Sequence, residues 1–154
     1  GAVSGNTDFT TEGILDTTTT LGGAEAGAFD QAITKTDPAM VMMSLATYQS
    51  IDPNNPAVFS STIIDGHIRN ALKYTGVVIS DSMSAEALSS YDVSQLGVKL
   101  VEAGGDMSCI GQTDYVKPIV DGLNERAKSD PAFASKVTAA ATRVMALKIK
   151  MGLA

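Results

Sequence analysis

The sequence predicts an α/β fold whose strands run parallel. Three observations carry this. Short runs that are apolar throughout, such as "MVMMSL" (Met40–Leu45) and "VVIS" (Val77–Ser80), have the length and composition of strands buried on both faces. Stretches with apolar residues at three- and four-residue spacing separate them. Proline, glycine and capping residues mark the junctions, so helices intervene at every step, as parallel pairing with right-handed crossovers requires.

Residues 1–23 are rich in Gly, Thr and Asp and read as a long loop. Ala28, Phe29, Ala32 and Ile33 carry helical spacing over residues 24–35, and Pro38 ends that region because it cannot continue the hydrogen-bond ladder. The first strand, Met40–Leu45, follows. Tyr48–Ser60 is a loop with two prolines, after which Ser60, Ser61 or Thr62 can cap a helix to about Lys73. Ile63, Ile64, Ile68 and Leu72 form its inner face. Gly76 turns the chain into the second strand, Val77–Ser80. Residues 81–91 form a loop with room for one helical turn. Asp92 caps a helix over 93–103, and Gly104-Gly105 stops it. The third strand is Met107–Ile110. A helix over about 115–128 comes next, and Pro131 opens a last helix to about Met151, at a position where its missing N–H costs nothing.

The chain has 154 residues, 44% of them hydrophobic and 18% charged, which suffices for one domain with a core. A net charge of −6 argues against a nucleic-acid partner that binds through phosphates. Cys109 is the single cysteine, which excludes an internal disulfide and a multi-cysteine zinc site. It reads as a small core residue. No apolar run reaches the roughly 20 residues of a membrane span, and the chain shows no signal-peptide pattern. Abundant Thr, Ser and Ala favour export or the cell envelope only slightly over the cytoplasm.

In parallel α/β folds chemistry gathers at the carboxyl ends of the strands. Of the three strand ends, only the second delivers a carboxylate directly, Asp81 in "GVVISDSMS". It reads either as a catalytic acid or as a loop-bracing residue. His67, the single histidine, falls mid-helix, so neither a Ser-His-Asp triad nor a multi-histidine metal site is supported. Gly104-Gly105 precedes a strand and is no dinucleotide fingerprint. The methionines at 40, 42, 43, 145 and 151 fall on a strand and a helix and read as packing.

Three segments together resemble family 3 glycoside hydrolases, in particular the bacterial β-N-acetylglucosaminidase (β-hexosaminidase) group: Val41–Ser84, with its Asp-Pro loop and "GVVISD"; "LVEAGGDMSCI", Leu100–Ile110; and "VTAAATRVMALKIKMGL", Val137–Leu153. The resemblance spans the whole chain. It implies the C-terminal portion, about three βα units, of a (β/α)8 TIM barrel, with residues 1–23 as a catalytic loop and 24–154 as strands six to eight with their helices. It further implies a retaining exo-glycosidase that releases terminal β-linked N-acetylglucosamine through a covalent glycosyl-enzyme. A β-glucosidase, a glycoside phosphorylase or a non-catalytic sugar-binding barrel are the alternatives. Asp81 matches the nucleophile of this family, held ionised by donors such as backbone N–H groups, and Met42 matches a methionine lining the sugar pocket. No metal or other cofactor is implied.

The sequence departs from the group in two places. The loop expected to carry an Asp-Ser-His-like motif reads "GNTD", Gly5–Asp8, which makes Asp8 the candidate acid/base, with Glu12 and Asp16 as lesser candidates. Leu45 replaces a histidine common in the strand-six motif. A closed barrel needs eight strands and typically about 250 residues. The resemblance therefore implies that the first half of the barrel, and most of the sugar pocket, comes from a separate chain or a nicked segment.

Overall fold

The computed structural model describes residue 3 and residues 5–154. Its centre is a parallel three-stranded sheet of β2 (Met40–Met43), β4 (Val77–Ser82) and β5 (Met107–Cys109), in the spatial order β2-β4-β5. Helix α1 (Ala24–Thr36) precedes β2, α2 (Thr62–Ala71) joins β2 to β4, and α3 (Val93–Glu102) joins β4 to β5. Helices α4 (Val116–Ser129) and α5 (Pro131–Lys150) close the chain. The α/β class and the helix-strand alternation are those expected from the sequence.

The helix ends are set by local chemistry. Asp92 accepts the Ser94 N–H at 2.8 Å, and Asp130 accepts those of Ala132 and Phe133, with Pro131 in the first turn of α5. Gly104 adopts φ +102° after α3, where an added Cβ would strike Asp65. Helix α1 ends before Pro38 with Asp37 in the left-handed region. The turn expected in the 81–91 loop is a 3₁₀ turn, Glu86–Leu88.

Several expectations are corrected. The first 23 residues are not loop throughout: β1 (Leu15–Asp16) pairs in parallel with β3 (Thr47–Tyr48), through Thr47 N–H to Ile14 O at 2.8 Å and Gln49 N–H to Asp16 O at 2.9 Å. Helix α2 is bonded i→i+5, with Gly66 N–H on Ser61 O and Leu72 N–H on His67 O. This wider turn still buries Ile63, Ile64 and Ile68. Cys109 is exposed, because β5 is an outer strand that pairs only with β4 among the described residues. Along α1 only Ile33 is buried, while Phe29 stands 65% exposed, so most of its apolar stripe has nothing to pack against.

One face of the sheet packs on the helices. Val41, Met43 and Val78 join Ile63, Ile64, Ile68, Leu96, Leu100 and Ile119 in the main core. Adjacent positions on parallel strands share a face, and Met42 is in register with Ile79, which is in register with Met107. That opposite face is open along β2, where Met42 is 66% and Met40 40% exposed, while Val77 beside Met40 is buried. A cleft of about 150 Å³ lies beside it between α1, α2 and β2, lined by Phe29, Asp30, Ile33, Val41, Met42 and His67 among others.

Candidate active site

Asp81 lies at the carboxyl end of β4, two residues beyond Ile79 on the open side. It is half-buried, and among the described residues its carboxylate accepts one hydrogen bond, from the Ser82 N–H at 2.7 Å. Expected alternation would bury Ser82 after Ser80 and Val78, yet Ser82 is half-buried like Asp81. The break has a cause. Ile79 pairs with Met107 and Ser82 with Cys109, so β4 holds one more residue than β5 between these two rungs. Bulges of this kind bend the strand and redirect side chains, and they are uncommon in parallel pairs.

The loop carrying Asp8 is stitched beside this strand exit. Ala87 N–H donates to Thr7 O at 3.0 Å and Glu86 N–H to Asp8 O at 3.4 Å. Asn6 shapes the loop: its side-chain oxygen accepts the Asp8 N–H at 2.9 Å, and its carbonyl accepts the Thr10 hydroxyl at 2.8 Å. Asp8 itself is exposed. Asp81 and Asp8 therefore belong to the same end of the sheet although 73 positions separate them in sequence.

The lesser candidates separate by environment. Glu12 is exposed. Asp16 is fully buried and accepts the Thr18 N–H, the Thr19 N–H and the Thr19 hydroxyl, the last at 2.6 Å. Its place is structural: it holds the turn that lets β1 pair with β3. Met42 is on the open face, 66% exposed and not packed as its place in an apolar run suggested, whereas Leu45 is buried in the core.

His67 is half-buried in α2, as expected, and its Nε2 lies 2.7 Å from Asp30 Oδ1 on α1. This pair sits in the cleft beside β2, which neither Asp81 nor Asp8 lines. Asp52, of the Asp-Pro loop, is buried. It accepts bonds from the Ser60 hydroxyl at 2.7 Å, the Asn55 side chain and the Asn54 N–H. Burial alone would raise its pKa, but the bonds from Ser60, Asn55 and Asn54 outweigh it and hold the carboxyl below its usual range. Sequence reasoning did not single out this network; an Asp followed by Pro-Asn-Asn, with a serine eight positions on, is the signal for it.

The glycosyl hydrolase family 3 N terminal domain matches residues 1–147. The chain belongs to glycosyl hydrolase family 3. A solved β-N-acetylhexosaminidase from Beutenbergia cavernae superposes with a TM-score of 0.87 at 36% identity, over 95% of this chain and 43% of that one. A family 3 β-N-acetylglucosaminidase from Paenibacillus sp. superposes with a TM-score of 0.80 at 27% identity, over 90% of this chain and 27% of that one. A curated relative from Arthroderma benhamiae, described as an uncharacterized secreted glycosyl hydrolase, is 36% identical over 69 residues, which is 44% of this chain and 20% of the relative. This family 3 chain thus spans less than half the length of each relative, which fits a sheet with two outer strands and an open apolar face.

Proposed function

We propose that this family 3 chain supplies the nucleophile end of a retaining exo-glycosidase acting on terminal β-linked N-acetylglucosamine. The single observation that carries the reading is the placement of Asp81: a half-buried carboxylate at a bulged strand exit, with the Asp8 loop bonded alongside. The 36% identity to a β-N-acetylhexosaminidase supports the choice of sugar.

In this reading an Asp81 carboxylate oxygen attacks the anomeric carbon. The bond from that carbon to the leaving oxygen breaks, and the protonated Asp8 carboxyl gives its proton to the departing alcohol. Asp8, now a carboxylate, takes a proton from water as the water oxygen bonds the anomeric carbon and the bond from that carbon to the Asp81 carboxylate breaks. The sugar leaves with its β configuration, and both residues return to their starting states. Met42 offers an apolar wall to the sugar. The segment carrying Asp8, ahead of β1, acts as the catalytic loop, and residues 24–154 as strands six to eight of the barrel. The open face of Met40 and Met42 is covered by the other strands, on a second polypeptide or segment. The secreted relative supports export, and among the described residues no helix is long and apolar enough to cross a membrane.

The test uses the full-length protein with a fluorogenic β-N-acetylglucosaminide and a β-glucoside, each with and without phosphate. Cleavage of the first by water, with the β-anomer appearing first by NMR, is the expected result. Release of a sugar phosphate only when phosphate is present would replace hydrolysis by phosphorolysis. Failure to cleave either substrate would remove the enzyme reading.

A further inference from the structure

Ser80 is fully buried, yet it carries a hydroxyl into the middle of the sheet. A buried hydroxyl without a partner costs free energy. Its partner here is not a side chain: the Cys109 N–H of the neighbouring strand donates to Ser80 Oγ at 2.9 Å. The rungs on either side are backbone bonds, with Asp106 N–H on Val78 O at 2.9 Å and Met83 N–H on Cys109 O at 2.8 Å. Ser80 Oγ therefore adds a side-chain acceptor for the Cys109 N–H at the rung shifted by the extra residue of β4.

The consequence falls on Asp81. Continued without a shift from the Ile79–Met107 rung, the ladder would set Asp81 opposite Cys109. The observed partner of Cys109 is Ser82. A slip of one residue changes which face each side chain occupies, so whatever holds the shifted register also aims Asp81. We propose that Ser80 is a positioning residue for Asp81: its hydroxyl binds the Cys109 N–H, stabilises the bulge and directs the carboxylate to the reacting carbon. The inference rests on the reading of Asp81 as nucleophile.

The experiment compares Ser80→Ala, Ser80→Cys and Asp81→Asn in the full-length protein on the fluorogenic β-N-acetylglucosaminide. A displacement of about 1 Å at a reacting group costs up to roughly 10²-fold. Ser80→Ala is expected to lower kcat at least about tenfold with KM within about twofold, and to speed hydrogen exchange at the Cys109 amide. Ser80→Cys keeps the side-chain size but offers a weak acceptor, and falls between Ser80→Ala and the wild type. It is read by the same criteria if Ser80→Ala does not fold. A kcat within about twofold of wild type in the folded variant, or a loss of kcat with Cys109 protection unchanged, overturns the inference. Inactive Asp81→Asn beside a fully active Ser80→Ala overturns the role of Ser80 alone. An active Asp81→Asn overturns the nucleophile, and the positioning role with it.

Discussion

The two ends of the sheet treat a carboxylate in opposite ways. At the amino end Asp106, just before β5, has a fully buried side chain. It bonds the Arg69 guanidinium, the Nε of Arg143 at 2.8 Å and the Val78 N–H at 2.8 Å. Arg69 also reaches the carbonyls of Tyr74 at 3.1 Å and Gly76 at 2.6 Å, so this cluster ties α2, α5 and both strands together. Burial lowers the pKa of Arg69, against the opposing pull of Asp106. At the carboxyl end Asp81 accepts, among the described residues, a single bond, from its own neighbour, and Asp8 is exposed. A carboxylate whose acceptor sites are all taken holds a fold together. One with acceptor capacity to spare at the rim of a sheet is free to meet a substrate.

That contrast can be broken by measurement. Asp81→Asn should lower kcat by roughly 10⁶-fold, the scale of losing a nucleophile, while the unfolding midpoint stays within a few degrees. A large drop in stability would make Asp81 a structural residue like Asp106. Next in size, Arg69→Ala leaves the buried Asp106 with one guanidinium and should cost about 3 kcal/mol in urea unfolding, with kcat per folded molecule unchanged. An Arg69→Ala variant as stable as wild type would reduce the amino-end cluster to a surface feature. Asp8→Asn should slow kcat about 10²-fold, as expected on losing a general acid. Full activity in Asp8→Asn would move the acid/base role off this loop.

The smallest effect concerns the Asp52 network. Asp52→Asn should cost about 2 kcal/mol, in the range for hydrogen bonds to a charged group. Because the folded state holds this carboxyl below its ordinary value of 3.8, the stabilisation is fully present above that pH. It is lost as the pH falls below 3.8 through the folded pKa. The stability difference between wild type and Asp52→Asn should therefore shrink on acidification below that point. A difference that stays constant down to pH 2 would remove Asp52 as the titrating group.

Much of this was legible locally. The cap at Asp92 and the proline opening α5 depend on residues within three positions, so sequence reading placed them correctly, while the cap at Asp130 was seen only in the structure. Asp81 was legible because an apolar run ending in an acid is a local pattern. Its bulge was not, since the extra residue is defined only against β5, some 27 positions away. Strands β1 and β3 hold two residues each, too few for any periodicity, and exist through pairing across about 32 positions. Cys109 and Phe29 read as core because composition cannot say whether a neighbour arrives to cover them.

By itself, then, the sequence determined the alternation of the three central strands with their helices, the cap at Asp92 and the proline start of α5, and the arrival of Asp81 at a strand tip. These follow from propensity, capping and hydrophobic period, which act over a few residues. The tertiary structure alone decided that Asp106 gathers two arginines, that the Asp8 loop bonds the turn that follows β4, and that Ser80 accepts a bond from the neighbouring strand. Each of these joins groups about 30 to 80 positions apart, and only the packed sheet brings such groups within hydrogen-bond reach.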